Sequence, residues 1–390
     1  MDWSAAALRD HARTPQKPLR GIWREGNRFT LLAGGRRFLP AMAQAVRTAR
    51  TSILLELYLV EPGRLTERLV SHLVDAARRG VDVRVMLDGF GAMGLGDADR
   101  QRLREAGVAL RFFNPLAWQR LGKNLTRDHR KLLVVDGRVA FTGGFGADDH
   151  FLAAWFDVAV RIEGPVVSDW MRLFARLWQS PMTRGSGDPH LALPGVSEAV
   201  RPGKTGMLGR GMWGQGYRYQ AIRHSLHHRV VTARRRIWVC TPYFVPTLTL
   251  RRRLVRAARR GIDVRLLLPG EAHDHPGVRY AGQRFYSRLL RAGVRIYEYQ
   301  PAFIHAKLSL VDDWVSVGSC NFDHWSLQWN LEANQEILHT RFAARVAELF
   351  ERGFAASHEI LPGQWAQRPK LQRLREGLYG TLDSWVTRLR

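Results

Sequence analysis

A chain of 390 residues, 45% hydrophobic and 24% charged, is long enough for two domain-sized cores and too apolar to be a disordered polyelectrolyte. Its formal net charge of +25 calls for an anionic partner, nucleic acid or an acidic lipid surface, although a general preference for arginine contributes, since only six of the 60 basic residues are lysine. No run of about 18 apolar residues reads as a membrane span, Cys240 and Cys320 do not make a disulfide framework, and the opening Met1-Asp2-Trp3 does not read as a secretory signal.

Helical and strand patterns alternate. The first half predicts helix 38–50, strand 52–59, helix 65–79 stopped by Gly80, strand 81–88, a glycine-rich loop 89–94, helix 98–106 and strand 108–113. A basic, aromatic loop with Trp118, Arg120, Lys123 and Arg127 leads into the apolar run Leu132–Val135, then strand 158–162 and helix 166–178. Residues 181–204, rich in proline and glycine, read as a linker between halves 1–180 and 205–390. The second half repeats the order: helix 220–233, strand 237–241, helix 248–260, strand 262–268, helix 277–292, strand 294–299 and strand 304–311. The tail from 370 to 390 is amphipathic, with Leu371, Leu374, Leu378, Leu382, Trp385 and Leu389 at helical spacing among arginines. This order predicts α/β layers with helices on both faces of each sheet.

The repeat is explicit in the residues. His129-x-Lys131-x4-Asp136 recurs as His305-x-Lys307-x4-Asp312, and two of the six lysines fall inside it. Ala76–Arg84 matches Ala257–Arg265, and Gly143-Gly144 matches Gly318-Ser319. Alternation along an extended chain puts His and Lys, two apart, on one face. An imidazole beside a fixed cation suits phosphoryl chemistry, as nucleophile or proton donor. Asp136 and Asp312 lie an odd number of residues beyond their histidines and so point to the opposite face, which argues for a structural role.

With their glycines downstream, the paired motifs resemble the phospholipase D superfamily, over residues from about 20 to 360. The segments Thr241-Pro242-Tyr243-Phe244-Val245-Pro246 and Asn330-Leu331-Glu332-Ala333-Asn334 look like those of short bacterial cardiolipin synthases that lack N-terminal membrane helices. The resemblance implies two α-β-α halves related by a pseudo-two-fold axis, with the active site at their seam. It implies a catalytic set of His129, Lys131, Asp136, His305, Lys307 and Asp312, working without metal or other cofactor. One histidine attacks phosphorus and the other serves as acid, then base; by analogy His129 attacks, though the pseudo-symmetry is compatible with the reverse.

Relatives also place an acidic residue 25–30 positions after each histidine. That offset selects Asp157 for His129 and Glu332 for His305. Asn321 resembles a phosphate-binding asparagine, Ser319 offers a hydroxyl, and Gly144 allows close backbone approach. The chain departs from the pattern at Gly146, opposite Asn321, and at Trp325, where many relatives have arginine. His273-Asp274-His275 lacks a third spaced ligand for a metal.

The expected activity is phosphatidyl transfer between phosphatidylglycerol and a second phospholipid. Hydrolysis of phospholipid by the same residues is the alternative, and a nucleic-acid phosphodiesterase a more distant one. The expected location is peripheral, on the cytoplasmic side of the bacterial inner membrane, held by an anionic phospholipid surface.

Overall fold

The computed structural model describes residues 21–116, 124–188, 206–215, 219–323, 329–369 and 379. The first half runs β1 (Arg24–Ala33), α1 (Gly35–Arg47), β2 (Ser52–Leu57), α2 (Arg64–Arg78), β3 (Asp82–Asp88), α3 (Asp97–Glu105), β4 (Ala109–Phe113), β5 (Leu132–Val135) and β6 (Val139–Gly143), followed by the one-turn α4 (His150–Ala153), β7 (Trp155–Phe156), β8 (Val158–Glu163), α5 (Val167–Trp178) and β9 (Thr183–Gly185). The second half runs β10 (Met207–Gln215), β11 (Tyr219–Gln220), α6 (Ala221–Thr232), β12 (Arg236–Cys240), α7 (Leu248–Arg259), β13 (Asp263–Pro269), α8 (Pro276–Gln283), α9 (Tyr286–Leu290), β14 (Arg295–Tyr299), β15 (Phe303–Ile304), β16 (Leu308–Val311), β17 (Trp314–Gly318) and β18 (Leu331–Leu338), then a long helix, Thr340–Ala355, and β19 (Ser357–Glu359).

Each half builds a mixed sheet of the same design. In the first, β2, β3 and β4 are parallel, and β5, β6 and β8 follow antiparallel from β2 outward. In the second, β12, β13 and β14 are parallel, with β16, β17 and β18 following from β12. β1 joins the sheets, pairing with β8 along most of its length and with β10 at its start. Every residue of β2 is buried, as expected of a parallel strand covered on both faces.

Local chemistry explains the matched turns. Gly80 and Gly261 end the helices before β3 and β13 at φ of 85° and 83°, a backbone conformation that side chains disfavour. Asp136 and Asp312 take φ of 53° and 51° in the hairpins that follow β5 and β16. The Asp136 carboxylate accepts the amides of Thr51 at 2.8 Å and Ser52 at 3.0 Å, while that of Asp312 accepts Arg234, Arg235 and Arg236 at 2.9 to 3.1 Å. Burial would raise both carboxyls, but these amide donors outweigh it and hold them below their usual range.

Three hydrophobic clusters organise the interior. One lies between α1–α3 and the first sheet, a second between α7–α9 and the second sheet. The third is shared: Trp170, Phe174 and Trp178 of α5 join Phe342, Val346 and Phe350 of the long helix. Across it the Trp170 indole donates to Gln335 Oε1 at 2.9 Å.

Three expectations need correction. The proposed linker begins too early, because Thr183–Gly185 pairs with β4 and belongs to the first sheet; residues 189–204 lie outside the described set. Helix 277–292 is two helices, α8 and α9. The apolar runs do form strands, but β5 and β16 begin at Leu132 and Leu308, so each His and Lys sits in the extended approach to its strand. The tail from 370 apart from Tyr379, and Trp118, Arg120, Lys123 and Trp325, also lie outside the described residues.

Candidate active site

Each motif approach crosses the seam and pairs with the opposite half. Asp128 bridges Leu331 in parallel, with His129 N donating to Leu331 O at 2.9 Å and Leu331 N to Arg127 O at 2.8 Å. In the symmetric arrangement β15 pairs in parallel with β7, and His305 N donates to Phe156 O at 2.8 Å. The residue after Leu331 is Glu332, and the residue after Phe156 is Asp157. Pairing of the backbones therefore delivers each carboxylate to the histidine of the other half.

The result is two crossed dyads. His129 Nδ1 lies 2.9 Å from Glu332 Oε1, and His305 Nδ1 lies 2.6 Å from Asp157 Oδ2. This overturns the assignment by offset, which gave Asp157 to His129 and Glu332 to His305. Sequence distance alone cannot register that each motif approach pairs with the backbone of the other half. With Nδ1–H donated to a carboxylate, a neutral ring keeps Nε2 bare for chemistry.

The lysines complete the cluster. Lys131 Nζ donates to His129 O at 2.6 Å, and Lys307 Nζ donates to His305 O at 2.6 Å while lying 2.8 Å from His305 Nε2. Burial lowers Lys131 to about 7, with the Lys307 charge adding to it, and lowers Lys307 to about 8. Two converging, destabilised ammonium groups make a site for an oxyanion.

The carboxylates differ. Burial pushes Glu332 up to about 8 against the pull of Lys131, and Ser319 Oγ donates to its Oε2 at 2.5 Å. Burial would raise Asp157 too, but the hydrogen bond and charge of His305, with Lys307, hold it below its usual range. Burial and the Lys131 charge drive His129 well below the ordinary imidazole value; burial and Lys307 bring His305 to about 4 against Asp157.

Matched positions have diverged. Ser319 corresponds to Gly144, where a Cβ would come 2.3 Å from Asp157 Oδ2, so the carboxylate occupies the space of a side chain. Asn321 is buried, whereas its counterpart Gly146 sits against Leu59 and Phe151, where a Cβ would be 3.1 to 3.2 Å from their atoms. Asp136 and Asp312, counted in the catalytic set by their motif, hold turns at the far ends of their strands, roughly 20 Å along the chain from the histidines.

Several contributors escaped the sequence reading. Trp155 stacks on His305, ring centroids 5.0 Å apart and planes at 28°. Tyr58 meets His129 edge-on at 4.9 Å and 66°. Arg130 is held between Glu56 Oε1 at 2.6 Å and Asp128 Oδ1 at 3.0 Å, all buried. The available signal was a glutamate and an arginine inside apolar strand patterns. Asp88, at the carboxyl end of β3, accepts the Asp128 amide at 2.8 Å. Among the described residues no cluster of histidine, cysteine and acidic side chains is arranged to hold a metal, and no helix is long and apolar enough to cross a membrane.

Two α-β-α halves whose histidine–carboxylate dyads interlock beside paired lysines define an enzyme of the phospholipase D class. Residues 42–178 and 226–353 match the family described as cardiolipin synthase, PLD-like domain, and the chain belongs to that family. It is 37% identical to cardiolipin synthase B of Salmonella typhi over 330 residues, covering 82% of this chain and 78% of that protein. It is 30% identical to cardiolipin synthase A of Pseudomonas fluorescens over 388 residues, covering 95% and 79%. The fold is also that of a phosphatidylserine synthase from Haemophilus influenzae, with a TM-score of 0.72 at 13% identity, covering 92% and 93% of the two chains.

Proposed function

We propose that the protein joins two phospholipids by phosphatidyl transfer, with phosphatidylglycerol as donor and a second phospholipid bearing a free hydroxyl as acceptor. The observation that carries this reading is the pair of crossed dyads beside two buried lysines.

His129 Nε2 attacks the donor phosphorus. The P–N bond forms as the P–O bond to the headgroup glycerol breaks, and His305 passes its proton to the departing alkoxide. Lys131 and Lys307 hold the non-bridging oxygens, whose charge grows in the transition state. His305 then takes the proton of the acceptor hydroxyl, whose oxygen attacks phosphorus and releases His129. Two molecules of phosphatidylglycerol thus give cardiolipin and glycerol.

The electrostatics support this division of labour. Burial and the Lys131 charge hold His129 neutral, as a nucleophile must be, beside a carboxyl raised to about 8. His305 faces a carboxylate held ionised, which favours its imidazolium. A bound phosphodiester anion adds to that, lifting His305 from the low value that burial gives it. The net charge of +25, with no helix among the described residues fit to cross a membrane, supports peripheral attachment to an anionic membrane, on its cytoplasmic side.

The test is product analysis on phosphatidylglycerol vesicles, with His129→Ala and His305→Ala as controls and labelled single-stranded DNA in parallel. Cardiolipin and glycerol from the wild type alone are expected. Phosphatidic acid as sole product would make the protein a hydrolase, and cut DNA with intact lipid would overturn the reading.

A further inference from the structure

Among the described residues few large apolar side chains are exposed, and four of them gather at one place. Phe90 (46% exposed), Met93 (54%), Leu116 (43%) and Leu125 (50%) stand on the loops after β3 and β4. These loops leave the carboxyl ends of parallel strands, the edge where ligands of α/β sheets bind.

A buried clasp ties them to the site. Asp88 accepts the amides of Phe90 at 2.9 Å and Gly91 at 3.0 Å with one oxygen, and that of Asp128, beside His129, at 2.8 Å with the other. Arg127 faces Asp88 at 3.5 Å and donates to Asn114 O at 2.9 Å and Asn124 O at 2.8 Å. One ion pair therefore ties together the loops that carry these four side chains. Gly91 lies against Tyr58, where a Cβ would come 2.3 Å from the backbone oxygen and 2.9 Å from the ring, and that ring touches His129.

The second half does not repeat this. Its corresponding loop carries Glu271, His273, Asp274 and His275, and Tyr243 donates a hydrogen bond to Asp274. The loop on the His129 side thus forms an apolar lip and its counterpart a polar one.

We propose that Phe90, Met93, Leu116 and Leu125 form an interfacial rim that enters the acyl region of a phospholipid monolayer, bringing the His129 side of the site against the bilayer. The occupant is an anionic lipid surface, because the loop that carries the rim packs through Gly91 on Tyr58 beside His129, where a lipid phosphate must arrive, and because the net charge is strongly positive. The proposal rests on the phospholipid reading above. Donor acyl chains then stay in the monolayer under the apolar lip, and the polar lip faces headgroups.

The test compares wild type with Phe90→Ser/Met93→Ser/Leu125→Ser on phosphatidylglycerol–phosphatidylcholine vesicles at low and high salt, and on short-chain phosphatidylglycerol below its micelle concentration. The rim predicts salt-resistant vesicle binding that falls at least about ten-fold in the variant, with turnover of the monomeric substrate unchanged. Unchanged salt-resistant binding overturns it, and so does a change in oligomeric state without a change in vesicle binding. Wild type inactive on the monomeric substrate would count against the reaction, while the rim is judged on vesicle binding alone. A second probe avoids any effect of the triple variant on folding. Cys240 and Cys320 are buried, so Met93→Cys takes an environment-sensitive dye selectively. A blue shift on vesicles is expected, and its absence overturns the proposal.

Discussion

Glu332 is hydrogen-bonded to His129, 203 positions away and in the other half of the molecule, while Asp157 serves His305 in the reciprocal sense. Asp157→Asn should therefore behave as a lesion of the acid–base histidine and Glu332→Gln as one of the nucleophile. Each should slow transfer by about 100-fold or more. A phosphodiester with a p-nitrophenolate leaving group needs no protonation to depart. The first step measured with it should be rescued in Asp157→Asn and not in Glu332→Gln; the opposite pattern would exchange the two histidines' roles.

The mirrored positions 144 and 319 give a second prediction. Gly144→Ser copies the other half's residue, yet its Cβ would lie 2.3 Å from Asp157 Oδ2 and must displace that carboxylate from His305. We expect at least about a 100-fold loss in kcat. Ser319→Ala removes a donor to Glu332 and the acceptor of the Ala333 amide but leaves the carboxylate its space, and about a ten-fold loss is expected. Steady-state kinetics of the two variants side by side checks the order.

The face of the Trp155 indole stabilises a charged His305 by roughly 1 kcal/mol. Trp155→Leu should lower the His305 pKa in the substrate complex, so the alkaline limb of the kcat profile moves to lower pH. Tyr58→Leu, which removes an edge contact to His129 and a ring 5.2 Å from Lys131 Nζ but nothing from His305, should shift that limb less than Trp155→Leu does. A pH–rate profile of each variant decides.

Anion binding should weaken with rising pH. Lys131 and Lys307 are lowered to about 7 and 8 by burial, so they lose protons across that range. A bound oxyanion favours their charged forms, so binding takes up protons and affinity drops above pH 7. Calorimetric titration with tungstate in two buffers of different ionisation enthalpy measures the uptake; no uptake between pH 7 and 9 would contradict the lysine values.

Asp136→Ala should affect stability and not chemistry. It removes the acceptor for three backbone amides and puts alanine at a φ of 53°, a loss of about 2 kcal/mol. A fall in Tm of roughly 4 °C with unchanged kcat is expected. Asparagine, which tolerates this conformation, should lose less.

The doubled pattern made the architecture legible. Gly80 and Gly261, the apolar runs after each lysine and the odd spacing to Asp136 and Asp312 each carry a local physical constraint, so they can be read without coordinates. The pairing of Asp157 and Glu332 could not be read, because it depends on which strand the backbone meets after it crosses the seam. Trp155 was equally hidden: a tryptophan at a strand edge has many uses, and only the parallel pairing of Phe303 with Trp155 brings it to His305. The clasp of Asp88 and Arg127 joins a strand end to a distant loop and has no local signature.

The crossed contacts have the form of an isologous dimer interface, in which each member gives the other what it receives. A single half pairing with a copy of itself could make the same bonds, but both of its sites would have to remain identical. Carrying both halves on one chain removes that constraint of symmetry. One member can hold a serine where the other holds a glycine, and stack the Trp155 indole before Phe156 where the other has Asn330 before Leu331. Covalent fusion is what allows a self-complementary device to become directional, with one histidine free to specialise in attack and the other in proton transfer.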